Sequence, residues 1–443
     1  MNSCKIPYSF RIIVIPIILF ILVSVSFYTA AAESTGETKL TVERRGDGLT
    51  IVRKPDQEKQ TLHYMTLIIK TGYAHDPMGK FGITNLTNEL VYHLLRDTSA
   101  ININYQTYAD YSAFHFITTR TDFNNLCVQL DRALRSDALL LYDLCNALVG
   151  YHLSQPKPPE LAAVSRFYSL IYGADHPYNS IFAPNYNQLN ITEINKWFRQ
   201  IYKPNNFIIA SSHKLPDDFL RRPAGRDLKE TVTLNEVPDS SGVPNPELKC
   251  VPVRDNIATV CLGFETPKLG EEGVFAVFLV EKYLNRRLWK VIREDHGLSY
   301  DPEVFNLLIS KSYVPSLQVI LHTLAPDAGK VIKMIIAELK KIAAEGIPET
   351  EIARIVGGER RRRELIGKDL QATMEFGALY GLVGEEWLVN QDNYFSLLHE
   401  EVQLIPQVIT AGLNRIKIVV AGPEETGGYL EGIAKEIEEL AQL

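Results

Sequence analysis

The chain has 443 residues, 46% of them apolar and 22% charged, with a formal net charge of −7. That is apolar material for two or three packed domains. The acidic balance excludes nucleic acid and anionic lipid as electrostatic partners, and five cysteines are too few for a disulfide framework.

Residues 1–32 read as a targeting segment. Lys5 and Arg11 precede an uncharged run from Ile12 to Ala32 that ends in "YTAAAES", where the small residues suit signal-peptide cleavage. The run is nearly long enough to span a bilayer, so an uncleaved anchor is the alternative; Pro16, Ser24 and Ser26 weaken it. Either way the body is expected to be exported, in a periplasmic or other extracytoplasmic space.

Past the leader, "LTVERRGDGLTIV" reads as a hairpin around Gly46-Asp47-Gly48, and "TLHYMTLIIKTG" as a strand closed by Gly72. "GITNLTNELVYH", Gly82 to His93, has helical spacing. Its Asn85-Leu86-Thr87 sequon falls on a packed helix and is set aside. "INYQTYADYSAFHFITT" reads as a strand pair, and Asp122 to His152 as helical. Three prolines break the chain in "QPKPPE", Gln155 to Glu160. Two further helical patterns and the strand "NNFIIASS" close the first half, residues 36–212. Residues 213–248, rich in proline, glycine, serine and charge, read as a linker.

The same grammar returns over residues 249–443. "IATVCLGFE" is a strand and "EGVFAVFLVEKYLNRRLWKVIRE" a helix. "VPSLQVILHT" is a strand, two helical stretches follow, and "RIKIVVAGP" is a last strand before a C-terminal helix. Two halves of one pattern suggest tandem duplication. Strands that follow one another without an intervening helix give antiparallel sheets backed by helices, an α+β fold. The Arg360–Arg363 run, flanked by Glu359 and Glu364, reads as a solvated helix face. Cys127 and Cys145 read as buried thiols. Cys250 and Cys261 flank two apparently neighbouring strands, where a bridge is conceivable but not expected.

Five segments in order resemble the pitrilysin/insulinase family of zinc peptidases, whose metal motif is H-x-x-E-H. They are Gly82-Ile83-Thr84; the strand carrying Asn104, Thr107, Asp110, Ser112 and Phe114; "YGADHPY" at Tyr172–Tyr178; Ile191 to Ile209; and "VIREDHGLSY", Val291 to Tyr300. The resemblance covers nearly the whole chain after the leader. It implies two tandem domains of α/β-roll type, the first bearing the metal helix.

The metal motif itself is degenerate. In the family, positions i and i+4 supply imidazoles and i+3 the carboxylate that activates water. Here those positions hold Asn85, Glu89 and Asn88. An amide is a poor zinc donor, and it cannot take a proton from water near neutral pH. The family's third ligand is a later glutamate, and none occurs from Leu90 to Pro159. By contrast, Arg293 and Tyr300 keep the spacing of the family's substrate clamp: guanidinium to a peptide carbonyl, phenol to the developing oxyanion.

The resemblance therefore implies a non-catalytic partner in an exported heterodimeric zinc peptidase, with no zinc of its own and the metal in a homologous partner. Peptide would add along the Asn104–Phe114 edge and meet Arg293 and Tyr300. The alternatives are a scaffold or assembly subunit without a role in proteolysis, or an atypical metallopeptidase using Glu89, His93 and a ligand recruited from His63, His115 or His152.

Overall fold

The computed structural model describes residues 40–438, apart from 55–59, 97–101, 136–138, 140, 156–157, 221–233, 235–236, 239–244, 307–314, 386–387 and 389. The targeting segment and most of the linker lie outside the described residues. Among those described, no helix is long and apolar enough to cross a membrane.

The first half begins with the expected hairpin, β1 (Thr41–Arg44) and β2 (Thr50–Arg53). β3 (Leu62–Ile69) leads to α1 (Ile83–Leu95), then the strand pair β4 (Asn102–Thr107) and β5 (Ser112–Thr119). Helices α2 (Phe123–Leu134), α3 (Tyr142–Ser154), α4 (Glu160–Tyr172) and α5 (Ile191–Ile201) precede β6 (Phe207–Ser211). The strand order is β1-β2-β6-β3-β5-β4.

The second half has β7 (Glu247–Pro252), which starts inside the segment read as linker, then β8 (Ile257–Glu265) and α6 (Val274–Leu288). β9 (Glu303–Asn306) and β10 (Ser316–Leu324) follow. Helices α7 (Ala328–Glu345), α8 (Glu349–Lys368), α9 (Leu370–Val383), α10 (Gln391–Glu400) and α11 (Ile405–Leu413) lead to β11 (Lys417–Gly422) and α12 (Thr426–Glu438). This sheet runs β7-β11-β8-β10-β9.

The duplication is visible in the wiring. In each half the last strand inserts into the sheet beside an early strand that it parallels: β6 lies between β2 and β3 and runs parallel to β2, and β11 lies between β7 and β8 and runs parallel to β7; every other pairing is antiparallel. The first helix of each half starts on a left-handed glycine, Gly82 at φ 94° and Gly273 at φ 96°. Such an entry favours glycine because a Cβ is strained there.

The inserted strand separates β7 from β8, which read as neighbours in the sequence. Cys250 is paired with Val420 and Cys261 with Val419, on opposite sides of β11. Two strand spacings, about 9.6 Å, separate their backbones, beyond the reach of a disulfide. All four described cysteines are free; Cys127 and Cys145 are buried, as expected.

Both faces of the first sheet are covered. On one face Ile51, Leu67, Ile69, Phe114, Phe116 and Ile209 pack against α1, α2 and α5. On the other, Val52, Ile68, Ala113, Ile208 and Ala210 pack against Leu370, Met374 and Ala378 of α9, which belongs to the second half. Reciprocally, α4 of the first half lies on β8 and β11, and the Tyr172 hydroxyl meets Ser316 Oγ at 2.9 Å. The halves thus exchange a helix, and strands buried on both faces carry continuous apolar runs instead of alternating ones.

The arginine run is not simply a solvated face. Arg360 and Arg361 are exposed, but Glu359 and Arg363 are 5% and 6% exposed. Arg362 grips Glu359 with two hydrogen bonds of 2.8 Å, and the Arg363 guanidinium lies 3.5 Å from the Tyr394 ring centroid. A helix that must pack α10 on one side buries the cations on that side, and each then takes a carboxylate or a ring as partner.

Candidate functional site

Helix α1 is anchored at its start by Asp76. The carboxylate accepts from the backbone N–H groups of Gly82 at 2.6 Å and Thr84 at 3.1 Å, two donors that a helix N-terminus leaves open. Burial outweighs those bonds and pushes the Asp76 carboxyl up to about 7. In the same turn the Trp197 indole N–H donates to Thr84 Oγ1 at 3.0 Å, tying α1 to α5.

Asn88, at the position of the family's base, is 0% exposed and fully used. Its amide nitrogen donates to Thr107 Oγ1 and Ser112 Oγ, both at 2.8 Å, and its oxygen accepts from the Tyr202 hydroxyl at 2.8 Å. An amide is the one side chain of this size with two donors and an acceptor to offer that arrangement. Asn88 is a structural hub joining α1, the β4–β5 pair and the end of α5.

Glu89, at a ligand position, is also committed. Its carboxylate meets His152 Nε2 of α3 at 2.7 Å, with both side chains mostly buried. The His152 ring stacks on Tyr186, centroids 4.5 Å apart and planes at 16°. Tyr186 is hydrogen-bonded to Asn85, and burial pushes its phenol up to about 12. Asn85, Glu89, His152 and Tyr186 thus form one polar cluster where the resemblance puts a metal.

That donor set does not fit zinc. Two ligands on a tetrahedral zinc, each about 2.0–2.1 Å from it, stand roughly 3.3 Å apart. The Glu89–His152 contact is shorter and is a direct hydrogen bond. Among the described residues no group of three His, Cys, Asp or Glu side chains converges on a possible cation position. Of the Glu89–His93 alternative, the carboxylate pairs across to His152 of α3, one of the histidines named for recruitment, while the His93 ring lies edge-on to Tyr92. The His63 and His213 rings face each other at 4.6 Å beside Phe123, and His115 faces Glu375 at 3.8 Å. Neither histidine joins the cluster.

The second set of residues is arranged differently. α6 continues into a π-helical turn, Trp289–Glu294, in which the Asp295 N–H donates to the Lys290 carbonyl at 2.9 Å. Such turns are frequent at functional positions. Arg293 Nη1 donates to the backbone carbonyl of Tyr300 at 2.8 Å, so the two residues stand side by side. Tyr300 is 80% exposed. The nearby acids do not neutralise Arg293; Asp295 and Glu294 turn to Lys290, at 2.8 and 4.0 Å. No described hydrogen bond, ion pair or ring contact joins this pair to Asn85, Asn88 or Glu89. Asn104 is an exposed residue of β4, the edge strand of the first sheet, in register with His115.

Sequence reasoning did not find the roles of Asp76, Tyr186 or Trp289, nor the partnership of His152 with Glu89.

Residues 188–358 match the family model described as the peptidase M16 inactive domain. No curated protein matches the sequence. Among solved structures, the chain is similar to a protease from Helicobacter pylori, at 17% identity and TM-score 0.73, covering 88% of this chain and 100% of that one. It is similar to a peptidase M16 inactive domain from Pseudomonas fluorescens, at 15% identity and TM-score 0.68, over 87% and 98%. It also matches the periplasmic protease PqqL from Escherichia coli at 12% identity and TM-score 0.66, covering 89% of this chain but 46% of that one. The chain has the M16-type (pitrilysin/insulinase) fold, and its residues 188–358 match the inactive-domain model of that group.

Proposed function

We propose that this M16-fold chain is the non-catalytic subunit of an exported, two-chain zinc peptidase. It binds peptide along the β4 edge around Asn104 and presents Arg293 and Tyr300 to a zinc site held by a homologous partner. The observation that carries this reading is the contrast between its two sites. Asn88 and Glu89 spend their polar atoms inside the fold, whereas Arg293, half-buried with Nη1 on the Tyr300 carbonyl, stands beside a Tyr300 that is 80% exposed. The match to 46% of the PqqL chain supports a division in which a second chain of similar size supplies the other half. The guanidinium suits a peptide carbonyl, and the phenol suits the oxyanion formed when water attacks.

The test is reconstitution with a zinc-bearing homologue that keeps H-x-x-E-H. Adding this chain is expected to raise peptide cleavage. Tyr300→Phe should lower kcat/KM on the order of 10²-fold, the usual effect of losing one oxyanion donor, and Arg293→Ala at least about tenfold. Undiminished turnover with either variant, in a mixture that still associates, would assign the chain to assembly alone.

A further inference from the structure

The Arg293 guanidinium is not held by its bond to Tyr300 alone. Its central carbon lies 4.0 Å from the Trp289 ring centroid and 5.9 Å from that of Tyr300. Trp289 and Arg293 are four residues apart on the π-helical turn. An i→i+5 turn places residue i+4 almost directly beneath residue i, so the wider turn stacks the cation on the indole. Trp289 is itself 41% exposed, an unusual setting for so large an apolar ring. The result is a cation near two aromatic rings, a partly open indole and an exposed phenol.

We propose that Trp289 is the positioning and side-chain-selecting residue of this clamp. Its ring fixes the guanidinium toward a peptide carbonyl. The uncovered indole and the Tyr300 phenol then form walls for a large aliphatic or aromatic side chain next to that carbonyl. The ligand class is an extended peptide with such a residue at the clamp, and the inference rests on the clamp reading of Arg293 and Tyr300.

The experiment uses the full chain and two short, end-blocked, fluorescein-labelled peptides, identical except for a central Phe or Gly. Binding is read by anisotropy for wild type, Trp289→Ala, Trp289→Phe and Arg293→Ala. Wild type should favour the Phe peptide. Trp289→Ala should weaken the Phe peptide about tenfold and the Gly peptide only about two- to fivefold. Trp289→Phe should restore most of the preference, and Arg293→Ala should weaken both peptides alike. If Trp289→Ala leaves the Phe/Gly ratio unchanged while Arg293→Ala weakens both, the role of Trp289 is refuted and the clamp stands. If Arg293→Ala changes neither peptide, or wild type binds neither, the clamp reading falls and this inference with it.

Discussion

Asn88→Glu, which restores the acid that the metal motif lacks, is expected to destabilise the chain by at least about 3 kcal/mol and to produce no peptidase activity. Asn88 is 0% exposed, so an ionised carboxylate there is fully desolvated. Only the Tyr202 hydroxyl already donates toward this position. Thr107 Oγ1 and Ser112 Oγ accept from the Asn88 amide, and the Ser112 proton is already given to the Thr71 carbonyl at 2.7 Å. A carboxylate would therefore face the Ser112 lone pairs. Asn88→Ala should cost less, about 1–3 kcal/mol, because it chiefly leaves the buried Tyr202 hydroxyl without an acceptor. Denaturant midpoints at constant m-value measure both. A glutamate variant as stable as wild type would show that this helix still tolerates a metal-site acid, and the structural role of Asn88 would be wrong.

Gly381→Leu is expected to break the helix exchange. A Cβ at Gly381 would meet Ile208 Cγ2 at 2.7 Å and Val52 Cγ2 at 3.2 Å; one turn earlier, a Cβ at Gly377 would meet Val52 Cγ1 at 3.1 Å. α9 lies this close to β2 and β6 because those positions lack side chains. Leucine at a helix interior gains up to about 1 kcal/mol of propensity over glycine. Overpacking against two strands that are each paired on both sides costs about 1–3 kcal/mol or more, and here it exceeds the gain. Gly358→Ala in α8 has nothing within 4 Å and should instead stabilise by up to about 1 kcal/mol. Opposite signs for the two substitutions, read by denaturant unfolding, separate close packing from propensity.

Local pattern carried most of the elements. The Gly-Asp-Gly hairpin, the α1 helix, the β4–β5 pair and the break at the prolines each depend on turn residues or on periodicity within a short window. The repeat of that pattern also pointed to two similar halves. What the sequence could not show is long-range. The insertion of β11 between β7 and β8, and the exchange of α4 and α9, are set by burial of both sheet faces, which no single window reports. β9 was missed because Glu303–Asn306 is four residues long and alternates only weakly. At the candidate site, the loss of the imidazoles from α1 was legible at Asn85 and Glu89, and the loss of the acid at Asn88. The use made of those side chains was not, since Tyr202, His152 and Tyr186 are far away in sequence. Glu359 and Arg363 misled for a related reason: a charge run looks solvated until the helix that covers it is placed.

On this account α1 holds a hydrogen-bonded cluster of Asn85, Glu89, His152 and Tyr186 in place of a metal. The most direct test is the zinc content of the purified full chain after equilibration with zinc and removal of loosely bound ions, with peptide cleavage assayed on the same sample. The expected result is zinc far below one ion per chain and no cleavage. One tightly held zinc per chain, together with cleavage that a chelator abolishes, would contradict it.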